Sequence, residues 1–155
     1  MSTPGLSFAA LAEGHIDEII TIEMASFEQP WLPMSFYDEL SSRDALDVVA
    51  LHPRSGQILG YACMRLVLDE INLLKIAVAP YWRRQNVGTR LLDSCLRLAH
   101  QKGAQTAYLE VRRSNWTARN FYWKLGFRIT GTRPAYYLDT GEDALSMMKT
   151  LEEAK

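Results

Sequence analysis

Cysteine and histidine are scarce in this chain, with two and three copies in 155 residues. Neither Cys63 nor Cys95 has a histidine or a second cysteine at the spacing a zinc site uses. Both are expected to be reduced core thiols, and no metal is expected. His15, His52 and His100 fall in separate segments with no partner at ligand spacing, which argues for surface or core histidines rather than catalytic ones. A charge excess is also missing: 17 Lys and Arg stand against 18 Asp and Glu, a formal net charge of -1. That balance excludes a general nucleic-acid binder and a charged disordered tail, so a charged partner must be recognised locally. Long apolar runs are absent as well: nothing approaches the roughly 18 residues of a membrane span. The first residues, Met1 to Leu11, have no basic region followed by an apolar stretch. A soluble cytoplasmic protein with no membrane partner is expected. No internal repeat or low-complexity segment interrupts a chain that is 48% hydrophobic, which suits one domain over residues 1–155 built on a single core.

The apolar pattern predicts the elements. Leu6 to Ala9 reads as a first strand, and Ile16, Ile19, Ile20, Glu23, Met24 and Phe27 recur at helical intervals after Gly14. Pro30 and Pro33 break that helix, Ser35 to Leu40 has room for a short one, and the segment bearing Pro30 and Trp31 is a candidate binding loop. Val48–Leu51 and Ile58–Leu68 read as a hairpin. Glu70–Val78 is so continuously apolar toward its end that it is expected mid-sheet with both faces buried. From Val87 to Ala99 an apolar stripe runs opposite Arg90, Asp93, Arg97 and Gln101, and Gly103 stops the helix. Then come a strand at Ala107–Val111, a helix at Asn115–Leu125 closed by Gly126, a strand region over Phe127–Thr132 and Tyr136–Leu138, and a last strand at Ala144–Met148. The order βαα, βββ, αβαββ implies an α/β fold of the α+β type: a mixed, mostly antiparallel central sheet with one local parallel pair.

Chemistry concentrates where a buried strand, Ile76, Ala77 and Val78, runs through Arg83, Arg84, Gln85, Asn86, Val87, Gly88 and Thr89 into a helix. Unpaired N–H groups and the positive end of a helix dipole then face a short basic loop, which makes an anion cradle. An ordinary strand-to-helix connection with exposed arginines would read the same way. This segment resembles the pyrophosphate loop of the GNAT superfamily of acyl-CoA-dependent N-acyltransferases, Gln/Arg-x-x-Gly-x-Gly/Ala, with Arg83 and Gly88 in place. Asn86 stands where the first glycine is expected. That glycine serves a backbone position of positive φ, and Asn is among the few other residues that enter it readily.

A second cluster, Tyr108-Leu109-Glu110-Val111-Arg112, Ser114-Asn115, Ala118 and Phe121 to Phe127, is similar to the strand, Asn-led helix and Tyr-x-x-x-Gly-Phe ending of the same superfamily. Leu-Glu-Val-Arg is nearest the ribosomal-protein-alanine N-acetyltransferase (RimI) branch, as are Leu68-Asp69-Glu70, Tyr136-Tyr137 and Gly141 to Ala144. With Pro30-Trp31 the resemblance covers nearly the whole chain.

The resemblance implies acetyl-CoA as co-substrate. It also implies transfer to the N-terminal α-amine of a protein, alanine on a small-subunit ribosomal protein within that branch. Such transfer needs a neutral amine, a stabilised oxyanion and a proton for the departing thiolate. Glu110 is the candidate general base acting through water, since a carboxylate in an apolar strand needs a reason to be there, although a solvent-facing charge is the plainer reading. Tyr122 is the candidate acid at the coenzyme A sulfur, against simple packing beside Phe121. Asn115 is expected to cap its helix and reach the pantetheine arm. The oxyanion donor is expected among the backbone N–H groups of Ile76 to Val78. Glu28, Asp69 and Glu70 are candidates to attract a basic acceptor. Trp82, Trp116 and Trp123 are expected to pack rather than stack on bases, which leaves nucleic acid out. Two other readings stay open: an acetyltransferase for lysine side chains or small amines, and a non-catalytic acyl-CoA-binding module.

Overall fold

A computed structural model describes residues 5–152, so the outermost ends of the expected 1–155 domain lie outside the described residues. The elements follow the expected order: β1 (Ser7–Ala10), α1 (Ile16–Ser26), α2 (Pro33–Ser41), β2 (Val48–Leu51), β3 (Ile58–Val67), β4 (Glu70–Val78), α3 (Val87–Gln101), β5 (Thr106–Arg112), α4 (Trp116–Lys124), β6 (Arg128–Arg133) and β7 (Ala144–Thr150). They form one seven-stranded sheet in the order β1-β2-β3-β4-β5-β7-β6. Every pairing is antiparallel except β4 with β5, the pair joined by α3. Helices cover both faces. Ile16, Ile19 and Ile22 of α1 and Phe36 of α2 pack on Val49, Ile58, Tyr61, Cys63 and Ala77. On the other face Leu91, Leu92, Cys95 and Ala99 of α3 and Tyr122 of α4 pack on Leu59, Ala62, Met64, Leu73, Leu109 and Val111. Both cysteines are buried and unpaired, as expected.

Three expectations need correction. Tyr136–Leu138 is not strand; it belongs to the turn-rich connection between β6 and β7, whose own pairing ends at Arg133↔Ala144. Trp116 and Trp123 do not pack in the core but lie 63% and 53% exposed, each with an arginine, Arg119 and Arg128, stacked on its ring. And β4, though central, is not buried on both faces along its length, since Leu74 is 45% exposed.

The cause of the last difference lies in the strand pairing. Across β3 and β4, Cys63 pairs with Lys75 and Met64 with Leu73, so Leu74 is an extra, unpaired residue on β4. Such a bulge bends its strand. On the other side, β4 and β5 stay in register only from Glu70↔Thr106 to Leu73↔Leu109. Past the bulge β4 continues to Val78 and β5 to Arg112 with no pairing between them among the described residues. Gly60 holds the diverging half of β4 tightly to β3: a Cβ there would lie 2.8 Å from the Ala77 carbonyl oxygen, closer than packing allows.

Beside the sheet, Asp47 is held by α2 and β3. Its Oδ1 accepts the Met64 N–H at 3.0 Å, while its buried Oδ2 has no donor and faces Glu39, whose carboxylate is itself gripped by Arg65. Burial, with the Glu39 charge adding to it, pushes the Asp47 carboxyl up to about 7. The folded chain therefore keeps a proton that the unfolded carboxyl releases near 3.8, and stability falls as pH rises through that window. Asp47→Asn, which keeps the acceptor for Met64, is expected to remove this slope. At pH 8 a gain of about 2 kcal/mol would raise the melting midpoint by roughly 4 to 8 °C. Parallel melting profiles of parent and variant from pH 4 to 8 would contradict it.

Candidate active site

Where β4 and β5 part, the sheet opens into a cavity of about 640 Å³. Ile76, Ala77 and Val78 line it from β4. Hydrogen-bonded positions alternate along an antiparallel pair, and Ala79 N–H donates to the Leu59 carbonyl at 2.8 Å. Ala77 thus turns its N–H toward β3, while Ile76 and Val78 turn theirs into the gap. The Val78 carbonyl on that side accepts from Arg83 Nε at 3.1 Å.

The α3 end of the cavity is formed by the loop that the sequence singles out. Asn86 sits at φ 64°, ψ 13°, in the left-handed conformation expected of it. Its carbonyl accepts the Arg90 N–H at 3.1 Å, which leaves the N–H groups of Val87, Gly88 and Thr89 without intrahelical acceptors. All three residues line the cavity with Arg83, Arg84 and Asn86, at the positive end of a 15-residue helix. A Cβ at Gly88 would meet Phe121 and Val78 only at 3.5 Å, so what a side chain there would take up is cavity space.

Two details depart from the sequence reading. Arg84 also has positive φ, 62°, which nothing in its residue type signals. Gln85 does not line the cavity; its amide turns back to donate to the Tyr81 carbonyl at 3.1 Å. Arg83 has a second duty, donating to Ser26 Oγ at 2.9 Å and tying the end of α1 to the end of β4.

The opposite wall comes from α4. Asn115 caps it, Oδ1 accepting the Ala118 N–H at 3.1 Å, and Asn115, Thr117, Ala118, Phe121 and Tyr122 all face the cavity. Tyr122 is both packed and placed: 9% exposed, edge-on to Phe121 and Phe127, yet part of the lining. Burial pushes its phenol well above the ordinary value, so it stays protonated at neutral pH. Ser26, Phe27 and Trp82 complete the wall and escape sequence reading; no motif marks them.

A second, more polar cavity of about 460 Å³ adjoins the first, sharing Ser26, Phe27 and Asn115. Glu28 and Gln29 line it from the segment after α1, Asp139, Thr140 and Glu142 from the connection between β6 and β7, and Arg112 and Ser114 from the end of β5 and the turn after it. Of the three carboxylates expected near an acceptor, only Glu28 is here. Asp69 and Glu70 sit at the far end of the sheet, where the Asp69 carbonyl accepts the Gln105 N–H at 2.6 Å and Glu70 pairs with Thr106.

Glu110 lines neither cavity. It shares the face of β5 that carries Arg112, with Oε2 accepting from Ser146 Oγ at 2.8 Å and Oε1 paired to Arg133 Nε at 3.0 Å. The three histidines serve local backbone: His15 Nδ1 accepts the Ala12 N–H, His52 Nδ1 those of Arg54 and Ser55, and His100 Nδ1 lies 3.0 Å from the Ala104 carbonyl.

A strand pair that opens onto a helix N-terminus behind a basic loop is the arrangement the sequence resemblance implies, and the sequence profile of the Acetyltransferase (GNAT) family matches residues 16–127. The chain belongs to the GNAT acetyltransferase family. It is 38% identical over 138 residues to a putative [ribosomal protein bS18]-alanine N-acetyltransferase of Bacillus subtilis, covering 89% of this chain and 91% of that one. With the [ribosomal protein bS18]-alanine N-acetyltransferase of Escherichia coli K12 it shares 34% identity over 128 residues, 81% and 84% of the two chains. The crystal structure of the ribosomal-protein-S18-alanine N-acetyltransferase from Escherichia coli superposes with a TM-score of 0.85, at 29% identity and 97% coverage of each chain. The chain is thus a GNAT enzyme, an acetyltransferase with acetyl-CoA as co-substrate.

Asn86 tests the cradle of this GNAT enzyme. Its positive φ costs a Cβ-bearing residue about 1 kcal/mol, which Asn partly escapes and Gly escapes fully. Asn86→Gly is expected to bind acetyl-CoA at least as well as the parent by calorimetry. Asn86→Ala should lose about 0.5 to 1.5 kcal/mol, a several-fold rise in Kd. Equal affinities for the Ala and Gly variants would mean that the loop does not need this backbone shape.

Proposed function

We propose that the enzyme transfers the acetyl group of acetyl-CoA to the N-terminal α-amine of a protein, an alanine of a ribosomal protein in the first instance, in the cytoplasm. The observation that carries this reading is the junction of the two cavities at Ser26, Phe27 and Asn115. One seats an acyl donor along exposed β4 backbone, and the other, open and acidic, meets it end to end. The relatives named above, acting on bS18 alanine, support the acceptor.

In this reading the pyrophosphate of acetyl-CoA lies against the N–H groups of Val87, Gly88 and Thr89 with Arg84 beside them. The pantetheine arm follows β4 past Asn115. The N–H of Ile76 or Val78 receives the oxyanion, since both point into the gap, where β4 has no strand partner among the described residues. Tyr122, kept protonated by burial, donates its O–H toward the sulfur as the C–S bond breaks. Glu110 takes the ammonium proton of the acceptor through water, as its distance from both cavity linings requires. Ser146 and Arg133 fix its carboxylate for that task.

A free α-amine titrates near about 7.7 to 8.0, so only part of it is neutral at pH 7 and a base is needed there. Glu110→Gln is expected to retain acetyl-CoA binding and to lower turnover by about 10² to 10⁴, with partial recovery at high pH. Tyr122→Phe should slow the chemical step without unfolding the chain. Unchanged turnover of either variant at neutral pH removes that residue from the mechanism. The acceptor is tested with acetyl-CoA and two peptides, one with a free N-terminal alanine and one with a blocked N-terminus and an internal lysine. Mass spectrometry is expected to find the acetyl group on the α-amine of the first; acetylation of the lysine peptide alone would refute the reading.

A further inference from the structure

Charge in this chain is balanced overall but not locally. The 28 residues between Glu110 and Asp139 hold Arg112, Arg113, Arg119, Lys124, Arg128 and Arg133 and no acidic residue, a formal +6 in a chain of net -1, which leaves the remainder at -7. Arg112, Arg113 and Arg133 are paired with carboxylates from outside that stretch. Arg119, Lys124 and Arg128 have no carboxylate partner among the described residues. Two of them lie on α4 and the third stacks against it.

The outer side of α4 also carries aromatic rings. Thr117, Ala118, Phe121 and Tyr122 turn to the cavity. At 3.6 residues per turn, Trp116, Arg119 and Trp123 fall on the opposite side, with the two tryptophans about 10 Å apart along the axis. Both stay more than half exposed although an arginine lies on each, with guanidinium carbons 3.7 Å (Arg119) and 3.6 Å (Arg128) from the ring centres. Each guanidinium is anchored through Nη1, which donates to the Arg113 carbonyl at 2.7 Å and to the Phe127 carbonyl at 2.8 Å, respectively. Beyond them β6, at the edge of the sheet, is exposed along its whole length. The case against nucleic acid rests on packed tryptophans and balanced charge, and this face has neither.

Fixed planar cations on exposed rings make stacking platforms for bases, which join a π-face to a backbone anion. An acidic peptide would use the charges and leave the rings without a partner. The spacing favours a single strand: about 10 Å is roughly three times the rise between stacked bases, so bases on the two platforms are splayed apart, as a duplex does not allow. We propose that the outer side of α4, with Arg128 of β6, binds single-stranded RNA, one base on each Trp–Arg pair and phosphates beside Lys124. RNA is chosen over DNA because the acceptor in the reading above is a ribosomal protein, and the inference rests on that reading for this choice alone. Trp116 follows Asn115, which lines both cavities, so RNA held here brings an acceptor bound to it to the mouth of the site and leaves the acetyl-CoA cavity free.

The test follows the fluorescence anisotropy of a labelled single-stranded RNA of about 12 nucleotides, titrated with the full-length protein without acetyl-CoA or acceptor. At about 50 mM salt a Kd of roughly 1 to 100 μM is expected, weakening as salt is raised. Trp116→Ala and Trp123→Ala, both at exposed positions, are each expected to raise Kd about fivefold or more, the low end of what one stacked base contributes. Lys124→Glu leaves the rings intact and should weaken binding while flattening its salt dependence. The KM for acetyl-CoA and the turnover of a short N-terminal peptide should not move in any of the three. Absence of binding at low salt, or tryptophan variants that bind like the parent, overturns the proposal. Polyglutamate that competes on equal terms charge for charge also overturns it, since the face would then take any acidic chain, as does a raised KM for acetyl-CoA, which would give the face to the cofactor. Failed RNA binding leaves the N-terminal reading standing, and a failed peptide assay refutes that reading without altering the RNA titration.

Discussion

The site depends on one extra residue in β4. Leu74 has no counterpart on β3, and the parallel pairing with β5 stops at its neighbour Leu73. A regular strand would have kept its ladder with β5 to the end and satisfied its own backbone groups. The bulge instead leaves Ile76 and Val78 with N–H groups aimed at an opening between two strands of the same sheet. Unpaired backbone in a protein interior is costly unless something binds it. The cavity is thus a demand for a ligand with alternating polar groups as much as a space to hold one.

Several features keep the gap in shape. Gly60 lets β3 follow β4 closely past the bulge, and Arg83 ties the last residue of β4 to Ser26 of α1. Beneath α1, Glu23 is fully buried and bonded to Tyr61, to Lys75 of β4 and, at 2.8 Å, to the Trp31 N–H. Lys75 also lies 4.0 Å from the Phe27 ring centre and 4.7 Å from that of Trp31. One buried carboxylate thereby anchors β4 and the segment that walls both cavities. Removing a single partner from such a buried group typically costs about 3 to 5 kcal/mol.

Legibility in the sequence followed the range of the interactions. The order of elements, the mid-sheet place of β4 and the cap at Asn115 rest on periodicity and local hydrogen bonding, which a single segment displays. Asn86 was legible because its residue type tolerates the backbone shape its position demands. Arg84 carries the same positive φ with no such mark, and Gln85 sits between them without facing the cavity. The strand expected at Tyr136–Leu138 failed because its aromatic residues serve Arg112 and the turn instead of a ladder. Trp116 and Trp123 look like core residues by composition, but on α4 the buried stripe is already filled by Tyr122, and stacked arginines cover them on the outside. Asp69 and Glu70 were expected, as acidic residues, to attract a basic acceptor, whereas the parallel register of β4 and β5 puts them at the opposite end of the sheet.

The cofactor is expected to dock on the β4 backbone that β5 leaves unpaired. Amide hydrogen exchange, read residue by residue by NMR with and without acetyl-CoA, tests this. Slowed exchange is expected at Ile76 and Val78 and at Val87 to Thr89, with Ala77, already bonded to β3, unchanged by the ligand. Protection that appears elsewhere while Ile76 and Val78 exchange as before would contradict it.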